Sequence, residues 1–144
     1  MKAGRLRSFC FFGGKMDGTN IKRMQIWFAD LGKHEGMCLQ EGERPVLIIS
    51  NDRANRNCPA VTVIPMTSKI KKLHLPSHIV IGEHNIQKAI DRPFREALLL
   101  LEQITTIDKR SLKTYVGKLN SPTAELSIGL AIKAQLGMEG RRML

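Results

Sequence analysis

The chain has 144 residues, 42% hydrophobic and 25% charged, a balance typical of a soluble globular domain large enough to bury its own core. Its 23 lysines and arginines outnumber 13 acids, and the net charge of +10 favours a polyanionic or acidic partner. Cys10, Cys38 and Cys58 are widely spaced without a CxxC or Cys/His pattern, which argues against a disulfide framework or a zinc site. No apolar run approaches the length of a membrane span.

The first part of the chain is basic and lacks a sustained hydrophobic period. Residues 1–23 hold six lysines and arginines and one acid. The sequence therefore predicts a basic extension over 1–20, either a disordered arm or a poorly packed segment. One domain at 21–137 and a basic tail at 138–144 follow. Met16 would also serve as a start codon, so the true start is left open.

Short β-strands dominate the predicted domain, because alternating and β-branched apolar runs are separated by turn-forming residues. The strands are predicted at 24–31, 45–50, 60–67, 77–82 and 97–104, with the β pattern continuing through TTID and KTYVGKL. A polar loop at 32–43, a turn at 51–59 and a basic connection at 68–76 join them, and 83–96 could hold a helical turn.

A helix is predicted at the end of the chain. Ser121 is a good N-cap, Pro122 suits the first helical position, and Gly137 is a typical stop. Its apolar side is predicted from Leu126, Leu130 and Ala134, flanked by Ile128 and Ile132. The fold class is therefore mainly β (α+β), a compact β-barrel closed by a C-terminal α-helix.

Six segments occur in the order found in MazF/PemK (Kid) toxins, the endoribonucleases of bacterial type II toxin–antitoxin modules. The segments are IWFADL, QEGERPVLIISND, VTVIPMTSKI, LPSHIVI, LLLEQITTIDK and the final amphipathic helix. The chain resembles this family from about Ile21 to about Leu136, which is nearly everything outside the basic extension.

The resemblance implies a small antiparallel barrel of the CcdB/PemK type, which is Src-homology-three-like, and a two-fold homodimer. It implies a cytoplasmic bacterial enzyme that cuts single-stranded RNA (mRNA) at short sequences without a metal or other cofactor. The 2′-hydroxyl attacks the neighbouring phosphate and leaves 2′,3′-cyclic phosphate and 5′-hydroxyl ends. A cognate antitoxin would thread an acidic tail through the RNA groove.

Two residues match the catalytic positions of the family. Arg44 matches the arginine of its Arg-Pro motif, and a guanidinium can donate two parallel hydrogen bonds to phosphate oxygens while staying charged. Thr67, in PMTSK, matches the active-site Thr or Ser at the end of the neighbouring strand. Taken singly, Arg44 could form a surface ion pair with Glu41 or Glu43, and Thr67 could be a satisfied strand-end hydroxyl. The motif order favours catalysis.

Auxiliary groups are expected nearby. Glu102 and Gln103 occupy the place of the family's acidic residue and glutamine near the RNA. Glu102 could accept a proton or a base-edge hydrogen bond, or could be a solvated carboxylate. His34, in the loop before Arg-Pro, could assist phosphate binding or proton transfer, although loop exposure explains it equally. The general base is left open.

A further set of residues is expected to bind RNA: Gln40, Arg53, Arg56, Ser68, Lys69, Lys71 and Lys72. The basic members could follow the phosphate backbone and make binding weaken with salt. For any single lysine, a solvated basic face is the alternative. His74 and His78 are four apart, but Pro76 between them argues against a helix, so no metal site is predicted.

Four positions depart from the family pattern. Leu39 stands where Glu is common, Met24 and Gln25 replace Gly-Asp or Gly-Glu, and Thr105 stands where Arg is frequent. These changes leave open which RNA sequence is recognised and how fast the RNA is cleaved. The rival hypothesis is a non-catalytic CcdB-like protein that poisons gyrase through its C-terminal helix, or a degenerate RNA- or antitoxin-binding module.

Overall fold

The structure, a computed structural model, describes residues 20–70, 75–91 and 94–138. The predicted extension and tail, apart from Asn20 and Met138, lie outside the described residues, as do Lys71 and Lys72. The boundaries of the predicted domain therefore stay a prediction.

Within these ranges the chain forms eight strands, two α-helices and three short 3₁₀ turns. The strands are β1 (Gln25–Asp30), β2 (Glu43–Ile48), β3 (Ala60–Thr67), β4 (His78–Ile81), β5 (Ile86–Lys88), β6 (Ala97–Leu100), β7 (Thr105–Asp108) and β8 (Leu112–Leu119). The helices are α1 (Asp52–Asn57) and α2 (Pro122–Gln135), and the 3₁₀ turns are Glu83–Asn85, Leu101–Gln103 and Lys109–Ser111.

The strands form one antiparallel sheet in the order β4-β6-β3-β2-β1-β8-β5, with β7 also paired to β3. One edge of β3 pairs with β2, while the other pairs with β7 along its first half and with β6 at its end. The sheet curls into a half-barrel with α2 at the C-terminal end of the chain. The predicted mainly β fold, a small antiparallel barrel with a C-terminal helix, is confirmed.

The sheet buries apolar side chains on both faces, because successive residues of a strand point to opposite sides. Ile26 of β1 belongs to the larger cluster, which also contains Ile128 and Ala131 of α2. Trp27 and Ala29 belong to a second cluster with residues of β2, β3 and β8. Arg44 lies two residues from Val46 of this second cluster and therefore points to the same face of β2.

Three expectations are corrected by the structure. The stretch predicted as a turn at 51–59 holds helix α1, because the Asn51 side chain accepts a hydrogen bond from the Ala54 N–H and caps it. β6 ends at Leu100 and gives way to a 3₁₀ turn, although a strand was predicted over 97–104. Residues 83–96 contain strand β5 besides the expected helical turn.

The buried side of α2 also differs from the prediction. Leu126 and Leu130, expected on the packed side, are 65% and 58% exposed. Ile128 and Ala131 are buried instead, because this side of the helix faces β4 and the Leu101–Gln103 turn. No helix in the described part of the chain is long and apolar enough to cross a membrane.

Candidate active site

Arg44 and Thr67 lie on adjacent strands at the same end of the sheet. β2 and β3 pair Ile48 with Val63 and Val46 with Pro65. The pairing ends there, and Thr67 itself pairs with Leu98 of β6. Two residues farther along each strand, Arg44 and Thr67 therefore lie at the same end of the sheet, on the face shared by Val46 and Pro65. Arg44 is exposed and Thr67 is partly exposed, so both polar groups face solvent at this rim.

The guanidinium of Arg44 is oriented but not neutralised. Its Nε donates to the Glu41 carbonyl oxygen at 3.1 Å. Among the described residues it has no ion pair, and the carboxylate of Glu41 accepts from the His34 backbone N–H instead. The surface ion pair considered from the sequence is therefore absent. The two terminal amino groups can donate to an anion as a fork.

The hydroxyl of Thr67 is held by a local turn. Its Oγ1 accepts a hydrogen bond from the backbone N–H of Lys69 at 3.2 Å. A hydroxyl also carries a proton of its own, so Thr67 can still donate to a phosphate oxygen. Ser68 and Lys69 follow directly and are exposed.

A cavity of about 330 Å³ opens beside this rim. It lies on the face that carries Pro65, two residues before Thr67, and is bounded by the loop between β1 and β2. Its lining includes Leu31, His34, Leu39, Gln40, Pro65, Glu102, Gln103 and Thr105. The structure thus brings His34, Gln40, Glu102 and Gln103 to one cavity, whose lining does not include Arg44 or Thr67.

Gln103 fastens the loop between β1 and β2. Its Oε1 accepts from the Gln40 N–H at 2.9 Å, and its Nε2 donates to the Cys38 carbonyl at 3.2 Å. Both ends of the amide are therefore engaged with loop backbone. Gln103 shapes the cavity, while the side chain of Gln40 remains on its wall.

His34 lines the cavity and has one ring nitrogen held by the backbone. Its Nε2 lies 2.9 Å from the Leu31 carbonyl oxygen. A carbonyl can only accept, so Nε2 must carry the hydrogen, and in the neutral ring Nδ1 holds a lone pair. This arrangement fixes both the tautomer and the orientation of the ring.

Glu102 is paired with a histidine that the sequence did not single out for this site. His78 Nε2 lies 2.7 Å from Glu102 Oε1, and the side chains are 6% and 36% exposed respectively. The pairing of His78 with Leu100 between β4 and β6 brings them together. No local sequence signal shows it, because the two residues are 24 positions apart.

Arg53 and Arg56 lie elsewhere. Both are exposed on α1, which follows the end of β2 opposite to Arg44. Asp52 Oδ1 accepts from the Arg23 backbone N–H at 2.7 Å, which holds α1 near the start of β1. The structure therefore does not bring these two arginines to the Arg44 rim.

The described residues contain no group of three His, Cys, Asp or Glu side chains placed to hold a metal. Cys38 and Cys58 are free and exposed, and Cys10 lies outside the described residues.

Several solved structures share the fold of this half-barrel. An endoribonuclease from a mycobacterial species, solved in complex with its cognate antitoxin, has a TM-score of 0.64 at 24% identity, covering 83% of this chain and 98% of that one. The Mycobacterium tuberculosis toxin MazF-mt6 has a TM-score of 0.63 at 21% identity, with 81% and 99% covered. MazF from Deinococcus radiodurans has a TM-score of 0.65 at 18% identity, with 82% and 97% covered. At these identities the likeness establishes the fold.

The family follows from the sequence itself. Residues 22–127 match PemK-like, MazF-like toxins of type II toxin–antitoxin systems, and this match spans most of the chain. The chain belongs to that family.

Proposed function

We propose that the chain is a sequence-specific, metal-independent endoribonuclease toxin (an mRNA interferase) acting on single-stranded RNA in the bacterial cytoplasm. The 2′-hydroxyl attacks the adjacent phosphate, and the products carry 2′,3′-cyclic phosphate and 5′-hydroxyl ends. The observation that carries this proposal is the pairing of β2 with β3 through Val46 and Pro65, which brings the end of β2 that holds Arg44, an arginine without an ion pair among the described residues, to the end of β3 that holds the Thr67 hydroxyl. Family membership and the endoribonuclease named among the similar structures support it.

Charge stabilisation falls to Arg44 and Thr67. Attack by the 2′-hydroxyl builds negative charge on the non-bridging oxygens of phosphorus. The terminal amino groups of Arg44 donate to these oxygens, and the Thr67 hydroxyl adds a third donor. Because Arg44 Nε is already held by the Glu41 carbonyl, little reorganisation is needed when the charge develops.

Proton transfer from the 2′-hydroxyl falls to His34. His34 lines the cavity beside the Arg44 rim, and because its Nε2–H is occupied by the Leu31 carbonyl, Nδ1 is the ring atom left to accept the proton. Glu102 also lines the cavity, but the contact with His78 occupies one of its oxygens. We assign Glu102 to the orientation of the RNA by hydrogen bonding, together with Gln40, Ser68 and Lys69.

An antitoxin is the second expected partner. The mycobacterial relative was solved with its cognate antitoxin, and MazE–MazF complexes are known from Deinococcus radiodurans. An acidic tail laid along the Arg44 rim would compete directly with RNA phosphates, since both present negative oxygens to the same donors.

A second copy of the chain is the third expected partner. Leu126 and Leu130 lie one turn apart on the exposed side of α2, and Gly129 lies between them. A Cβ at Gly129 would meet no atom within 4 Å apart from its chain neighbours and the backbone of its own helix, so packing against the rest of the described chain does not require glycine there. A two-fold pairing through this side of the helix would cover both leucines and use the close approach that glycine permits.

The simplest test combines purified protein with a long unstructured RNA in the presence of EDTA, followed by end-group analysis. We expect discrete fragments with cyclic phosphate and 5′-hydroxyl ends. Intact RNA together with blocked DNA supercoiling by gyrase would reject the proposal in favour of the CcdB-like alternative. Cleavage that disappears with EDTA would reject the metal-independent mechanism.

A further inference from the structure

A second cavity, of about 420 Å³, lies at the end of the barrel away from Arg44. Three of its lining residues are lysines, Lys22, Lys88 and Lys118, and none is acidic. Lys88 pairs with Glu83, whereas Lys22 and Lys118 have no ion-pair partner among the residues that the structure describes. Two uncompensated positive charges therefore face one concave surface.

The positions of these lysines are fixed by the backbone. Lys118 of β8 pairs with Gln25 of β1 on one side and with Gln87 of β5 on the other. The backbone N–H of Lys22 donates to Gln25 Oε1 at 2.9 Å, which also accepts from Trp27 Nε1 at 3.0 Å. The Gln25 amide is buried and donates to the Asn20 carbonyl as well. The wall that carries the charges is thus preorganised.

The cavity offers more than charge. The ring of Tyr115 lines it and is supported from behind by Trp27, with ring centroids 5.3 Å apart. Burial raises the pKa of the Tyr115 phenol above its ordinary value, so it adds no negative charge at neutral pH. A flat ring, an exposed amide at Gln87 and two free ammonium groups match a base, a sugar and a phosphate.

The cavity also lies within reach of the proposed cleavage site. Gln25 and Ala29 share one face of β1, and Ala29 pairs with Arg44. Four residues of a strand span roughly 13 Å, whereas single strands cover about 4–16 nucleotides on small barrels. Arg53 and Arg56 on α1 belong to the same far corner, because Asp52 binds the Arg23 backbone. One strand could contact both ends.

We propose that this second cavity binds a nucleotide of the single-stranded RNA outside the cleavage word, with its phosphate between Lys22 and Lys118. The inference rests on the proposed ribonuclease function for the identity of its ligand. An acidic peptide is the weaker candidate, because a carboxylate would fill little of a space that lies within the about 300–1,000 Å³ of small-molecule sites. It would also leave the Tyr115 ring unused.

The test uses RNA with 2′-O-methyl groups, which removes the attacking hydroxyl and so separates binding from cleavage. Affinities of the full chain for a 5-mer and a 20-mer are measured by fluorescence anisotropy at several salt concentrations. The Lys22→Ala/Lys118→Ala variant is compared with Lys113→Ala/Lys133→Ala, which removes two exposed lysines that line neither described cavity. Matching far-UV circular dichroism spectra and Tm values would establish that all variants are folded.

For the 20-mer we expect the Lys22/Lys118 variant to bind about tenfold more weakly than wild type. The slope of log affinity against log salt should fall by about 1.4, which corresponds to two lost phosphate contacts on a single strand. The 5-mer should bind as before, and the control should keep the wild-type slope. An unchanged slope for the 20-mer would overturn the inference, and so would a variant that loses only binding to poly-glutamate.

Failure of the site and failure of the function give different results. If the wild-type chain cleaves unmodified RNA while the Lys22/Lys118 variant binds the 20-mer normally, the cavity is not an RNA site. If the wild-type chain leaves RNA intact but the variant loses the 20-mer, the cavity binds RNA and the proposed catalysis is wrong.

Discussion

Met24 has a buried side chain on a backbone conformation that is unfavourable for methionine. The family resemblance predicts glycine at this position, and its φ of +69° lies in the left-handed region that glycine adopts freely. The side chain is nevertheless 6% exposed and belongs to the larger core cluster. Met24 therefore combines favourable burial with a backbone penalty of about 1–2 kcal/mol.

Substitution of Met24 by two small residues separates these effects. Met24→Ala and Met24→Gly lose the same buried thioether, but only glycine relieves the backbone. We expect the glycine variant to have the higher free energy of unfolding, by about 1 kcal/mol, which reverses the usual order of alanine and glycine. Urea titration followed by circular dichroism measures the difference. A more stable alanine variant would show that position 24 is not strained.

Gln25, the neighbouring departure, has a clear structural reason. Its Oε1 accepts from the Lys22 and Trp27 N–H groups, and its Nε2 donates to the Asn20 carbonyl. A carboxylate, as in the family pattern, could accept the first two bonds but could not make the third. The sequence showed the substitution, but only the folded chain shows that the amide fixes residues 20–22.

His34 and Glu102 give the sharpest residue-level prediction about mechanism. If His34 Nδ1 accepts the 2′-hydroxyl proton, His34→Gln should slow single-turnover cleavage by about a hundredfold and flatten the rise of rate with pH. Glu102→Gln, which keeps the hydrogen-bonding shape, should lose less than about tenfold and keep that pH profile. The reverse pattern would move the general base to Glu102.

Among the elements, those with strong periodicity were predictable and those that depend on distant partners were not. β3 was predicted with its observed bounds, because the apolar, β-branched run AVTVIPMT lies between Pro59 and Ser68. β2 begins two residues before its prediction, since pairing with β1 extends it to Glu43. β5 has only three residues and forms because β8 lies beside it.

Some residues of the candidate site were predictable from the sequence and others were not. Family motifs predicted Arg44, Thr67, Glu102 and Gln103 as site residues. The sheet brings the strand ends of Arg44 and Thr67 to one end, while Glu102 and Gln103 line the neighbouring cavity. The contact of His78 with Glu102 comes from the pairing of two strands, and it could not be read from local sequence. The helix face was mispredicted because α2 has apolar residues on more than one side, and only packing selects the buried one.

Gly117 gives the prediction at the scale of elements. A Cβ there would lie 2.3 Å from the Gln87 carbonyl oxygen, so an alanine would force β5 away from β8. We expect Gly117→Ala to lower the free energy of unfolding by about 3 kcal/mol or more through strain and lost pairing. Gly36→Ala is the control, because it has a φ of +73° but open space and should lose only about 1 kcal/mol. Equal losses, read from Tm or urea midpoints, would contradict the close approach.

The described part of this basic chain is a half-barrel with a cavity at each end and exposed leucines on α2. The +10 net charge attracts RNA to the protein as a whole. Binding of RNA in one defined position is expected from the two cavities at the ends of the half-barrel. The exposed Leu126 and Leu130 bear on the assembly of the protein. Two large apolar side chains one turn apart on a helix are expected to be covered by a partner.

Assembly is the prediction at this scale. We expect light scattering at micromolar concentration to give about twice the chain mass of 16.2 kDa. Leu126→Ser/Leu130→Ser should shift the protein to monomer while its circular dichroism is kept. Leu136→Ser, which changes another exposed leucine beyond the end of α2, should remain a dimer. A monomeric wild-type chain would contradict the assignment.

The most direct measurement concerns the pair of groups on β2 and β3. Arg44→Ala and Thr67→Ala should each reduce single-turnover cleavage of a short RNA by about a hundredfold or more, the scale of a lost donor to a developing oxyanion. Lys113→Ala, an exposed change on β8 that lines neither described cavity, should cleave at the wild-type rate. Wild-type rates for both Arg44→Ala and Thr67→Ala would show that the cutting groups lie elsewhere.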